Sequence, residues 1–176
     1  MVVDLIDRQA ARVEVDGDRL LGMMALRMHE EGRLPNDSVV ATVMANLGFK
    51  RSLEERGVKV IGAPVGDKHV AQAMAEHGAV LGGEQSGHLI FGEHATTGDG
   101  ILTALQTAAL LVASSEAMSR LAHFYEPFPQ VLINVAVADK TKLGSSEAIW
   151  DAVRAVEAGL GDDGRVLVRA SGTESV

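Results

Sequence analysis

Ser38-Val39-Val40-Ala41-Thr42-Val43, then the segment from Leu47 to Arg56, then Val58-Lys59-Val60-Ile61-Gly62-Ala63, decide the fold of this chain. Two β-branched runs of strand length flank a short helical segment, which Gly57 closes where a left-handed cap is common. Downstream the alternation predicts a helix from His69 to His77 closed by Gly78, strands at Ala79–Leu81 and His88–Phe91, and a long helix from Gly100 to Ser114. Upstream, Asp16 and Asp18 precede Leu20, Leu21, Met23, Met24, Leu26 and Met28, apolar at helical spacing and ending at Glu30, Glu31 and Gly32. Strand-helix alternation of this kind predicts a layered α/β domain with a mixed, largely parallel sheet.

The two ends of the chain read differently. Val2 to Ile6 and Arg12 to Val15 are short β-prone runs that suit a hairpin or the end of a sheet. After a helix near Glu116 to Phe124, Pro127 and Pro129 break the chain, and a domain boundary is placed there. Beyond it, Val131 to Val137 reads as a strand and Glu147 to Leu160 as a helix with Gly161 and Gly164 behind it. Arg165 to Arg169 reads as a second strand entering Ser171-Gly172-Thr173-Glu174, which makes this a partial α+β domain.

Composition narrows the classes of function. With 176 residues, 47% apolar and 23% charged, the chain can bury a core and is unlike a disordered segment. It has no cysteine, which removes disulfides, thiolate nucleophiles and Cys-ligated zinc and fits a reducing compartment. A net charge of -8 argues against a nucleic-acid partner, since that affinity rests on Lys and Arg displacing counterions. No apolar stretch approaches the roughly 20 residues of a membrane span, and Met1 to Ala11 lacks the pattern of a signal peptide. The expectation is a cytoplasmic protein with no nucleic-acid and no membrane partner.

Two loops could carry chemistry. Gly82-Gly83-Glu84-Gln85-Ser86-Gly87-His88 sets a carboxylate, an amide, a hydroxyl and an imidazole in a turn whose glycines permit close approach of a ligand. Glu84 can accept hydrogen bonds from neighbouring hydroxyls, and Ser86 and His88 can donate or accept, which suits a sugar. From spacing alone a polar hairpin loop is the readier reading. Arg169-Ala170-Ser171-Gly172-Thr173 offers a guanidinium, hydroxyls and an accessible backbone N–H, a set that suits a phosphate. Without context, an ordinary exit from a strand is the readier reading there too.

Taken together and in this order, the two loops resemble the phosphohexomutase family, which moves phosphate between the C6 and C1 oxygens of a hexose. Gly83 to His88 match the Gly-Glu-x-Ser-Gly-His sugar loop of the family's third domain, and Arg169 to Thr173 match the Arg-x-Ser-Gly-Thr phosphate loop of its fourth. Gln85, Thr96 to Gly100, Val65 to Lys68, Met44 to Gly48, Val15 to Asp18 and Phe128 to Gln130 are similar to the branch acting on glucosamine phosphates. The resemblance implies residues 1–15 as a remnant of the metal-binding second domain, 16–126 as the sugar-binding third, and 127–176 as an incomplete phosphate-binding fourth.

It also implies roles: Glu84, Ser86 and His88 for the sugar, and Arg169, Ser171, Gly172 and Thr173 for the phosphate that is not being transferred. The implied reaction interconverts glucosamine 6-phosphate and glucosamine 1-phosphate through an enzyme phosphoserine, with a hexosamine 1,6-bisphosphate as activator or intermediate. A mutase for glucose or mannose phosphates, or a non-catalytic phosphosugar-binding module, remains the alternative. The family's phosphoserine and its Asp-Gly-Asp-x-Asp-Arg magnesium loop have no counterpart here, so no residue of this chain is assigned to catalysis or to Mg2+. The chain is expected to need the family's N-terminal domains for activity. Val2-Val3-Asp4 resembles the segment just after the family's magnesium loop, and Ser175 stands where the family has proline.

Several side chains are assigned plainer work. Asp16-Gly17-Asp18-Arg19 has two carboxylates rather than three and opens a helix, so capping is the favoured role. Asp99 also precedes a helix and is read as a cap, and the spacings of His69, His77, His88 and His94 form no recognised metal cluster. Asp67 and Lys68 are left evenly between a contact in the sugar cleft and a surface ion pair.

Overall fold

The computed structural model describes residues 3–5 and 13–171 of the chain. It divides into two units, Met1–Pro129 and Gln130–Val176. In the first, β1 (Val3–Leu5) pairs antiparallel with β2 (Val13–Val15), the hairpin expected at this end. There follow α1 (Gly17–Glu30), β3 (Ser38–Thr42), α2 (Leu47–Glu54), β4 (Lys59–Ala63), α3 (Asp67–His77), β5 (Leu81–Gly83), β6 (Leu89–Phe91), α4 (Gly100–Ser114) and the single turn α5 (Met118–Leu121). The helix expected from Glu116 to Phe124 is confined to that turn, because Ala122 to Phe128 is held by other elements instead.

The sheet runs β4-β3-β5-β6, with β3 parallel to both β4 and β5 and only β6 antiparallel. The mixed, largely parallel sheet read from the alternation is therefore present. All five residues of β3 are buried, as a central parallel strand covered on both faces must be. Val39 and Ala41 join Leu20, Leu21, Met24, Phe49, Leu53, Leu81, Leu89 and Leu110 in one core, which places α1, α2 and α4 on that face. Val40, Val70, Met74 and Ile90 form a second core under α3 on the other. Two parallel crossovers of one hand that run in opposite directions along a sheet must put their helices on opposite faces.

The strand expected at Ala79–Leu81 lies two residues later. Gly78 caps α3 in the left-handed region (φ 66°), and the chain needs Ala79 and Val80 to turn back before β5 can enter the ladder. In α4 the buried residues are Thr103, Thr107 and Leu110, while Ile101, Leu105 and Val112 face solvent. The threonine hydroxyls donate to the carbonyls of Asp99 and Thr103, each at 2.7 Å, so burial leaves neither unsatisfied.

From Ala122 to Phe128 the chain lies as a strap across α1 and α2. Phe49, Phe124 and Tyr125 meet edge-on or tilted at 5.0 to 6.4 Å between ring centroids. A Cβ on Gly22 would stand 2.0 Å from the Phe124 ring, so α1 must be bare there. Arg19 stacks over Tyr125 and donates to the Ala122 carbonyl, and Ser52 Oγ donates to the Phe124 carbonyl at 2.8 Å.

The second unit contains α6 (Glu147–Leu160), opened by a short 3-10 turn whose Leu143 carbonyl accepts from Trp150 Nε1 at 2.9 Å. Among the described residues, Val131 to Val137 and Arg165 to Arg169 do not form the strands expected of them and pair with no sheet. A strand needs a partner for its N–H and C=O groups, and side chains such as Val131, Leu132 and Ile133 are exposed here.

Tyr125 is the only tyrosine. Burial pushes its phenol up, the Asp16 and Asp18 carboxylates add to that, and Arg19 opposes it. Above pH about 10 the unfolded chain would lose this proton while the folded one keeps it. Stability should accordingly fall as pH rises past that point. Absorbance titration should show tyrosinate only on unfolding, and Tyr125→Phe should flatten the alkaline loss of the melting temperature.

Candidate functional site

Because β3, β4 and β5 are parallel, their carboxyl ends share one edge of the sheet, and the loops that follow them emerge together there. The chain leaves the central β3 toward β4 on one side, then returns past it to β5 on the other. The edge between β3 and β5 is thus a topological switch point, where open α/β sheets bind ligands. Glu84 to His88 follow β5 at this place, and Asn46 follows β3.

The loop is a tight hairpin between β5 and β6. Glu84 N–H donates to the His88 carbonyl and Gly87 N–H to the Glu84 carbonyl, both at 2.9 Å, with Gly87 at φ 94°. The hairpin form favoured on spacing alone is therefore what forms, and it still presents a defined set of groups. The Glu84 carboxylate accepts from Gly66 N–H at 2.7 Å through Oε1 and from Ser86 Oγ at 3.2 Å through Oε2. Glu84 is half-buried, whereas Ser86 and His88 are exposed. Its oxygens retain lone pairs for further donors, in an orientation two bonds already fix.

Gly66 has φ 120°, a conformation that L side chains rarely adopt, and it opens α3. This brings the Val65 to Lys68 segment against the loop. Asp67 and Lys68 are exposed at the start of α3, and the Asp67 carboxylate accepts from Lys68 N–H at 2.7 Å. On the other side, Gly98 sits so close to His88 that a Cβ there would be 3.1 Å from the imidazole. Gly98, in the Thr96 to Gly100 segment, is therefore packed against the His88 ring.

Behind the loop stands the first turn of α1. Gly17 N–H donates to the Gln85 carbonyl at 2.9 Å, and a Cβ on Gly17 would lie 2.0 Å from the Glu84 carbonyl oxygen. Asp16 caps the helix by accepting from Arg19 N–H at 3.0 Å. Asp18 is fully buried and accepts from Asn46 N–H at 2.7 Å. The capping role read for this acidic pair holds for Asp16, while Asp18 ties α1 to the loop after β3. Asp99 caps α4, accepting from Ile101 and Leu102 N–H at 2.8 and 3.0 Å. Among the described residues no three His, Asp or Glu side chains converge as a metal-ligating group.

In the second unit Arg169 is exposed, and the Ser171 carbonyl accepts from Lys140 Nζ at 3.1 Å. Gly172 and Thr173 lie outside the described residues. Sequence reasoning had Gly17 and Gly66 only within longer matching stretches and missed their role as backbone donors to the loop, since a main-chain N–H leaves no side-chain signature. Asn46, which the sequence offers only within a longer matching stretch, also proves central to this edge.

The comparisons agree on the class. The phosphoglucomutase/phosphomannomutase alpha/beta/alpha domain III matches residues 16–128, and the C-terminal domain of the same family matches residues 132–176. The chain belongs to this phosphohexomutase family. It is 50% identical over 165 residues to the phosphoglucosamine mutase of Frankia alni and 50% identical over 161 residues to that of Streptomyces coelicolor. Those alignments cover 94% and 92% of this chain but 36% of each relative, so the chain spans about a third of the length of the curated relatives it matches. Its fold matches Aspergillus fumigatus N-acetylphosphoglucosamine mutase with a TM-score of 0.83 at 21% identity, over 98% of this chain and 41% of that one.

With so little room behind the loop, Gly17→Ala should cost about 1–3 kcal/mol of stability, the range for forcing an added methyl into packed structure. The loss should appear in thermal melts together with faster hydrogen exchange across 84–88. Unchanged exchange there would contradict the buttressing role.

Proposed function

We propose that this chain is the recognition part of a cytoplasmic phosphoglucosamine mutase, an isomerase that interconverts glucosamine 6-phosphate and glucosamine 1-phosphate. The observation that carries the reading is the Glu84 carboxylate, held by Gly66 N–H and Ser86 Oγ at the carboxyl edge of the parallel sheet. An ionised acceptor oriented in this way favours one arrangement of sugar hydroxyls over others. Roughly half-identity to phosphoglucosamine mutases over nearly the whole chain supports the amino sugar as the substrate.

In this reading Glu84, Ser86 and His88 receive the sugar, with Asp67 and Lys68 beside them. Arg169, Ser171, Gly172 and Thr173 hold the phosphate that stays in place, through charge-assisted bonds and backbone amides. Residues 16–126 act as the sugar-binding domain and 127–176 as the phosphate-binding one. Residues 1–15 are a remnant of the metal-binding domain. Fixing the substrate in either of two orientations removes much of the entropic barrier to moving a phosphoryl group between its two ends. The transferred phosphate and the Mg2+ ion are served by residues beyond those of this chain, with a hexosamine 1,6-bisphosphate as the intermediate that is turned over. Aspergillus fumigatus N-acetylphosphoglucosamine mutase has been crystallised with GlcNAc-6P and magnesium and, as a serine-to-alanine variant, with glucose 1,6-bisphosphate, which supports a phosphosugar, Mg2+ and a bisphosphate as the ligands in this reading.

Titration calorimetry of the 176-residue chain tests the reading. Glucosamine 6-phosphate should bind, and Glu84→Ala should weaken it about tenfold or more, the loss expected of a charge-assisted hydrogen bond. Tighter binding of mannose 6-phosphate would sink the assignment of substrate. Added Mg2+ and bisphosphate should produce no turnover by this chain, and measurable isomerisation would overturn the division of labour.

A further inference from the structure

The side chain of Asn46 takes part in three hydrogen bonds at the sheet edge. It is buried, and its Nδ2 donates to the Phe128 carbonyl at 3.0 Å while its Oδ1 accepts from Phe128 N–H at 2.9 Å. The carboxamide therefore meets both main-chain groups of one residue, as a neighbouring strand would. The same Oδ1 accepts from Gly48 N–H at 2.9 Å, which caps α2. Arg51 stacks over the Phe128 ring at 4.9 Å, and Gly48 lies so close to the strap that a Cβ would be 2.3 Å from the Glu126 carbonyl.

Phe128 is the last strap residue so held before Pro129, and the second unit begins at Gln130. Pro127 and Pro129 each fix one backbone torsion on either side of it. We propose that Asn46 is a positioning residue that sets the pivot from which the second unit departs. The pivot is joined to the sugar loop through α1, since Asp18 accepts from Asn46 N–H while Gly17, its neighbour, donates to Gln85. A short run of hydrogen bonds, from Gln85 through Gly17 and Asp18 to Asn46 and Phe128, thus connects the Glu84 loop with the point of exit to the unit that carries Arg169. This inference concerns the pivot alone and stands whether or not glucosamine 6-phosphate is the ligand.

The test separates clamping from capping. Asn46→Ser keeps an oxygen suited to cap α2 but is too short to reach Phe128. Asn46→Asp keeps the cap and the bond from Phe128 N–H, and loses the donor to the Phe128 carbonyl. Ser52→Ala removes the strap's bond at Phe124 and serves as the control. In Asn46→Ser the Phe128 amide should exchange about tenfold faster, the scale of a lost hydrogen bond, while Gly48 stays protected. Trp150, the only tryptophan, lies in the second unit and reports its motion through time-resolved fluorescence anisotropy. Its slow correlation time should shorten in Asn46→Ser, less so in Asn46→Asp, and not in Ser52→Ala. If Asn46→Ser does not fold, Asn46→Asp decides alone. Unchanged Trp150 anisotropy in the Asn46 variants, or an equal change in Ser52→Ala, overturns the proposal.

Discussion

The hydrogen bond from Gly17 N–H to the Gln85 carbonyl is the constraint around which the first unit is arranged. It demands that the start of α1 lie flush against the back of the Glu84 loop, and that residue 17 have no side chain. Once α1 is seated there, its second residue, Asp18, reaches the loop after β3. Asp16 remains free to satisfy the helix's own first turn. The strap can then close over Gly22, where α1 is again bare. A helix start, the Glu84 loop and the chain's exit from the unit are thus set by one backbone contact and the glycines that permit it.

Much of this architecture was legible in the sequence, for reasons that differ from element to element. β3 and β4 declared themselves as β-branched runs of strand length, although only β3 is buried throughout and β4 is the half-exposed edge, and α2 and α3 because Gly57 and Gly78 sit where only glycine is comfortable. The Glu84 loop was legible as a polar glycine-rich hairpin, and only its match to a family motif, together with the Arg169 loop, set it apart from an ordinary turn. What was not legible is how that loop is held, because Gly66 and Gly17 act through main-chain N–H groups that every residue but proline possesses. α4 hid its inner face for a related reason: its core side chains include two threonines, and its outer face carries Ile101, Leu105 and Val112.

The second unit shows the limit of local propensity. Val131 to Val137 and Arg165 to Arg169 have the composition of strands, but propensity for a pleated, half-buried surface is realised only against a neighbour. α6 needs no such partner for its backbone and forms where its periodicity says it should.

The exposed run from Val131 to Val137 has a consequence for the behaviour of the chain among its own copies. Seven residues without a charge, rich in β-branched side chains and open to solvent, are a template on which another extended segment can lay itself. Pro129 stands just before the run, and Asp139 and Lys140 just after it, a barrier and a pair of opposite charges at its two ends. The ordered sheet has its own guard in Lys59 at the head of the edge strand β4. The polar and rigid residues bordering the exposed run and the edge strand thus serve a second end, keeping one molecule from being extended by the next.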